Sequence, residues 1–151
     1  MKLYTIGFTK KTAQEFFETL RNNNIDELID IRLNNKSQLA GFAKGRDLQY
    51  FLNELCGIRY YHEENFAPTK ELLGDWKSGK ITWYAYEEIY NSLMEKRHAA
   101  NVFVKKYGDV NEKNICLLCS EATPEHCHRR LLADYLAEQC GNLVCSDIIH
   151  L

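Results

Sequence analysis

Short apolar runs of strand length alternate along this chain with stretches whose apolar residues recur at helical spacing. Leu3-Tyr4-Thr5-Ile6 reads as a strand, and Gly7 permits a tight exit. Thr12-Ala13-Gln14-Glu15 matches a capping box ahead of Phe16, Phe17 and Leu20, which predicts a helix ended by Arg21-Asn22-Asn23-Asn24. Glu27 to Arg32 is then a second short strand of the kind found in parallel sheets, so a strand-helix-strand unit opens the chain.

Asp47 through Cys56 places Leu48, Phe51, Leu52 and Leu55 at helical spacing, with Gly57 where helices commonly end left-handed. Ile58 to Tyr61 returns as a strand. From Thr69 to Lys106 the pattern is helical, broken at Ser78-Gly79, with Tyr86, Ile89, Tyr90 and Leu93 on one face. Asn114 to Cys119 is an apolar strand, Pro124 to Gln139 a helix, and Val144 to Ile149 a last strand. This order predicts an α/β fold: one mostly parallel sheet flanked by helices, Rossmann-like and three-layered, with a helical insert over 69–106. Ligands of such sheets bind beyond the carboxyl ends of the strands.

Composition narrows the setting. With 151 residues, 45% of them hydrophobic and 26% charged, the chain reads as a single α/β domain over 1–151 with a full core. No long apolar run and no signal peptide is present, so a cytoplasmic protein without a membrane partner is expected. The six cysteines are then expected as free thiols, with Cys56, Cys140 and Cys145 as small buried hydrophobes. A formal charge of −2 argues against a whole-surface nucleic-acid binder. Lys96-Arg97-His98 and Lys105-Lys106 read as a solvated helix face, and Trp83, Tyr84 and Tyr86 as core rather than a stacking platform.

The candidate chemistry lies between Cys119 and Arg129. Thr123 suits the N-cap and Pro124 the first helical position, so a helix N-terminus should point at the end of the preceding strand. The apolar stripe Leu131, Leu132, Tyr135 and Leu136 projects back onto Cys127, His128 and Arg129, turning those three toward the sheet edge. Arg130 falls on the polar face with Asp134. Cys119, Glu121, Cys127 and His128 thus form the candidate catalytic group. A thiol beside a helix N-terminus or a cation is drawn toward thiolate, and a carboxylate or an imidazole can move protons. The plain structural alternative is a packed Cys119, a His128 bonded to backbone and a Glu121–Arg129 pair.

Cys116-x-x-Cys119 with Cys127-His128 resembles a metal-ligand set by count. Residues three apart on a strand point to opposite faces, so Cys116 and Cys119 cannot share an ion. Cys119, Cys127 and His128 stay open as a rival ligand trio, but no metal and no cofactor is assigned. Leu28, Asp30 and Arg32 share one strand face, where two charges must be paired or emerge at the strand end. Arg32 and Arg129, with Gly7 and Thr9 of the first loop, are the expected anion-binding residues. Asp30 serves either as a ligand or as a structural acceptor for that loop.

Thr5-Ile6-Gly7, Asp30-Ile31-Arg32, Ala67-Pro68-Thr69-Lys70-Glu71-Leu72, and Leu118-Cys119-Ser120-Glu121 followed by Pro124-Glu125-His126-Cys127-His128-Arg129 resemble the domain-of-unknown-function family numbered 488. The resemblance spans nearly the whole chain and implies a compact α/β protein without an assigned reaction. Members usually carry His and Ser after Thr-Ile-Gly, where this chain has Phe8 and Thr9, and a proline where it has Asn35. The expected partner is a small anionic or nucleotide-like ligand, handled by an enzyme with a cysteine thiolate. The alternative is a non-catalytic module sensing such a ligand or a nucleic-acid end through the same crevice.

Overall fold

The computed structural model describes residues 1–36, 41–108, 112–144 and 147–151. Its strands are β1 (Lys2–Gly7), β2 (Glu27–Asp30), β3 (Arg59–His62), β4 (Asn114–Cys119) and β5 (Ile149–His150). They form one five-stranded, all-parallel sheet in the order β3-β2-β4-β1-β5. The helices are α1 (Ala13–Asn22), α2 (Gly45–Tyr50), α3 (Lys70–Lys77), α4 (Trp83–Lys96), α5 (Ala99–Tyr107) and α6 (His128–Gln139). The α/β layering expected from the alternation of periods is therefore observed. None of the described helices is long and apolar enough to cross a membrane.

Side-chain alternation along the strands divides the core in two. Leu3, Ile29, Ile31, Ile115, Leu117 and Cys119 face α3 to α6. Tyr4, Ile6, Leu28, Cys116 and Leu118 face α1, α2 and the turn after it, through Phe16, Leu20, Leu48 and Leu52. Cys116 and Cys119 accordingly lie in different cores, as their spacing requires. The connections leaving β1 and β2 cover one face while those leaving β4 cover the other, so the chain diverges at the carboxyl end of β4. Register sets Gly7 beside Cys119 and Asp30 beside both Leu118 and His62, so four strand ends share one rim.

The Thr12 capping box forms as expected: Glu15 N–H donates to Thr12 Oγ1 at 3.1 Å, and Thr12 N–H to Glu15 Oε2 at 2.9 Å. Other elements depart from expectation. The helix expected over 47–56 is α2 followed by a π-helical turn, Phe51–Cys56, ending at Gly57 with φ 67°. The wider turn rotates later residues out of phase, which leaves Leu55 66% exposed. In the insert, Tyr86, Tyr90 and Met94 form the buried stripe at i, i+4, i+8, and Ile89 faces outward at 48% exposure.

Trp83 stacks on buried Tyr86 with centroids 4.7 Å apart, whereas Tyr84 is exposed. The basic runs are not wholly solvated. Arg97 Nη1 donates to the carbonyls of Asn65 (3.0 Å) and Ala67 (2.6 Å), and Lys106 Nζ donates to Glu63 Oε2 at 2.7 Å, which ties down the segment after β3. Among the described residues the last strand pairs over Ile149–His150, at the end of the expected 144–149 run and one residue beyond it. Cys145, expected as a buried hydrophobe, lies outside the described residues. The five described cysteines are free, with Cys140 buried and Cys56 half-buried.

Candidate functional site

At the rim, β4 delivers Cys119, α6 delivers His128 and Arg129, and the turn between them delivers Cys127. The helix does not start at Pro124 under a Thr123 cap, as the sequence predicts. It starts at His128 with extended Cys127 (φ −136°, ψ 136°) in the capping position. Cys127 N–H closes a turn onto Pro124 O at 3.2 Å, and the Thr123 hydroxyl binds the Glu125 carboxylate instead of a first-turn N–H. The positive helix end thus lies one turn later, beside Cys127 and His128. Both residues and Arg129 are buried, as the projected stripe requires.

Cys119 Sγ lies 3.6 Å from both ring nitrogens of His128. His128 Nε2 is 2.8 Å from the Ile31 carbonyl, which can only accept, so Nε2–H donates there and the ring is fixed beside the sulfur. The thiols divide the work. A hydrogen bond from Cys127, with help from the Ser120 N–H and the charge of Arg129, draws Cys119 below the usual thiol pKa against the pull of burial. Burial and the neighbouring Cys119 push Cys127 well above it. Cys119 is thus the more acidic of the two thiols, and Cys127 the one that donates to it.

Arg129 is fully buried. Its Nη1 donates to Glu121 O at 2.6 Å and lies 3.4 Å from Cys127 Sγ, while Nε and Nη2 have no partner among the described residues. A β-carbon on Gly7 would stand 2.9 Å from that Nη1 and run into the Glu121 carbonyl, so glycine is required for this approach. Glu121 therefore joins the site through its backbone, with its side chain exposed. Thr9 donates its N–H (3.1 Å) and its hydroxyl (2.5 Å) to Ser120 O, clipping together the exits of β1 and β4.

On the opposite sheet face Asp30 and Arg32 form a buried pair, with Nε–Oδ1 at 2.9 Å and Nη2–Oδ2 at 2.7 Å. Arg32 also donates to Ala43 O at 2.7 Å and stacks over the Phe8 ring at 5.0 Å, while its Nη1 has no partner among the described residues. Tyr60 O–H donates to Asp30 Oδ2 at 2.6 Å, and burial with the adjacent carboxylate holds that phenol protonated. His62 Nε2–H donates to Arg32 O at 2.8 Å. Sequence reasoning singles out neither Tyr60 nor His62. Their signal is the register that sets Leu28 beside Tyr60 and Asp30 beside His62, which periodicity within one strand does not carry.

Among the described residues Cys119, Cys127 and His128 are the metal-capable trio, with ligand atoms within 4.8 Å of one another. That is one donor short of a closed structural zinc site. What the geometry assembles is a buried thiol–thiol–imidazole cluster beside an arginine, at the point where a parallel α/β sheet diverges.

That is the class of protein the fold and rim define: a parallel α/β protein with a thiol centre beyond its strand ends. The chain belongs to the family described as domain of unknown function DUF488, whose model matches residues 12–136. Neither the curated proteins nor the solved structures give a match.

Proposed function

We propose that the protein binds a small anionic or nucleotide-like ligand beyond the carboxyl ends of β1, β2 and β4, and that Cys119 acts there as a thiolate. One observation carries this reading: Arg129 is 0% exposed, pairs with no carboxylate among the described residues and keeps Nε and Nη2 unpartnered. Buried charge is normally paired, so this guanidinium calls for a negative group, and the two that fit are the Cys119 thiolate and a bound anion. Lys11 and His150 support the reading. Both are pushed down first by burial and then by the charge of Arg129, so the rim is electropositive. His128 Nδ1 would exchange the proton with Cys119 during chemistry.

Iodoacetamide labelling across pH, read by peptide mass, tests this. The expected result is one fast thiol at Cys119 that titrates below free cysteine and is lost in Cys119→Ser. A Cys119 no faster than Cys140 overturns the thiolate. A second reading, a non-catalytic ligand-sensing module, is favoured by the burial of both thiols, Cys119 at 5% and Cys127 at 2% exposure. It expects ligand binding with inert thiols in the same experiment.

A further inference from the structure

Because Arg32 and Arg129 are buried, they shape the field of the rim without offering a ligand a first contact. An open cleft of about 570 Å³ lies one strand over, at the carboxyl end of β3, and Asn35, Lys36, Lys44, Arg46, Tyr61 and His62 contribute to its wall. None of its lining residues is acidic, and Lys36, Lys44 and Arg46 pair with no carboxylate among the described residues. A cleft of this size suits a small ligand, since such sites span about 300–1,000 Å³.

The cleft is wired to the buried network. Asn35 Nδ2 donates to Tyr60 Oη at 3.0 Å, Tyr60 donates to Asp30, and His62 donates to Arg32 O. Gly45 lies so close to the Asn35 amide that a side chain there would displace it. Tyr61 contributes to the edge of the wall at 36% exposure, its ring turned edge-on to Tyr107 at 5.3 Å on the other sheet face.

We infer that this cleft is the recognition subsite for a phosphomonoester, with Lys44, Arg46 and Lys36 holding the phosphate. The inference rests on the anion-binding reading above and names its ligand class. Guanidinium and ammonium groups with no carboxylate to neutralise them match a phosphate dianion.

The test is calorimetric titration with adenosine 5′-monophosphate, adenosine, inorganic phosphate and a 5′-phosphorylated oligonucleotide. Adenosine monophosphate should bind more tightly than adenosine. Lys44→Ala and Arg46→Ala should each weaken it roughly five- to tenfold, the scale of one charge-assisted hydrogen bond at a solvated site. Arg130→Ala, on the outer face of α6, should bind like the wild type. Amide spectra of each variant check folding. Equal binding of nucleotide and nucleoside, or affinity indifferent to both substitutions, overturns the inference. So does an oligonucleotide that binds far more tightly with steep salt dependence, since the ligand would then be nucleic acid. If nucleotide binding fails while Cys119 still labels fast, the cleft assignment falls and the thiolate reading stands. If the nucleotide binds as expected while Cys119 labels slowly, the thiolate falls and the cleft stands.

Discussion

The α-carbon of Gly7 and the carbonyl of Glu121 approach so closely that no β-carbon fits between strand β1 and the loop after β4. Gly7→Ala must therefore displace backbone, and overpacking of this kind costs about 1–3 kcal/mol. The same displacement breaks the Arg129–Glu121 hydrogen bond. Urea unfolding should show the loss, together with slower labelling of Cys119; a stability equal to wild type would mean that the loop does not close on the strand.

Gly74 gives the opposite expectation. It lies in α3, and an added β-carbon there meets nothing within 4 Å. Gly74→Ala should stabilise by about 0.4–1 kcal/mol, because alanine loses less backbone entropy in a helix. A lower melting temperature would contradict the placement of α3.

Where local rules act alone, the sequence is readable. The Thr12–Glu15 box, the Gly57 terminus and the inward phase of Cys127, His128 and Arg129 all follow from side chains within one turn of each other. Departures arise where a second part of the chain intervenes. Thr123-Pro124 has the composition of a helix start, yet the chain makes a turn over Pro124–Cys127, and the helix begins only at His128 after an extended Cys127. Glu121 reads as a carboxylate in the sequence, but Gly7 admits its carbonyl. Tyr60 and His62 become visible only through the pairing of β2 with β3.

The two thiols predict a pH profile. Cys119 lies below the ordinary thiol value, so its thiolate favours the fold; that contribution is complete above the ordinary value and is lost as pH falls through the lower folded one. Cys127 lies above it, so its protonated form favours the fold, and that contribution is lost as pH rises through the raised value. Cys127→Ala removes the donor to Cys119 and should move the labelling midpoint of Cys119 upward, while Cys127→Ser, which keeps an O–H, should move it less. An unchanged midpoint in the alanine variant would separate the two sulfurs.

Asp30 accepts from Arg32 and from Tyr60 in full burial. Asp30→Ala strands the buried guanidinium and should cost about 3–5 kcal/mol. Tyr60→Phe removes one hydrogen bond to a charged acceptor and should cost about 1.5–3 kcal/mol. Chemical denaturation of both variants ranks them; a tyrosine loss exceeding the aspartate loss would show that Asp30 is not the centre of the network.

Arg129 and Arg130 are sequence neighbours with opposite fates, and that contrast tests the whole site. Arg130 is partly exposed and spends its charge on Asp134 at 3.2 Å and Glu87 at 3.6 Å, surface pairs worth about 0–1 kcal/mol. Arg129 has no acid partner among the described residues, and its charge helps draw Cys119 toward thiolate. Removing that charge should raise the Cys119 labelling midpoint in Arg129→Ala and leave it unmoved in Arg130→Ala. Anion affinity should follow the same order, falling by about 1.5–3 kcal/mol for Arg129→Ala through the loss of charge-assisted donors and changing little for Arg130→Ala. The two readouts must move together, because one buried positive charge is held responsible for both. A shift in anion affinity without a shift in the cysteine midpoint would assign Arg129 to the ligand alone, and equal effects from the two arginines would show that neither the helix phase nor the burial of Arg129 governs the chemistry at the rim.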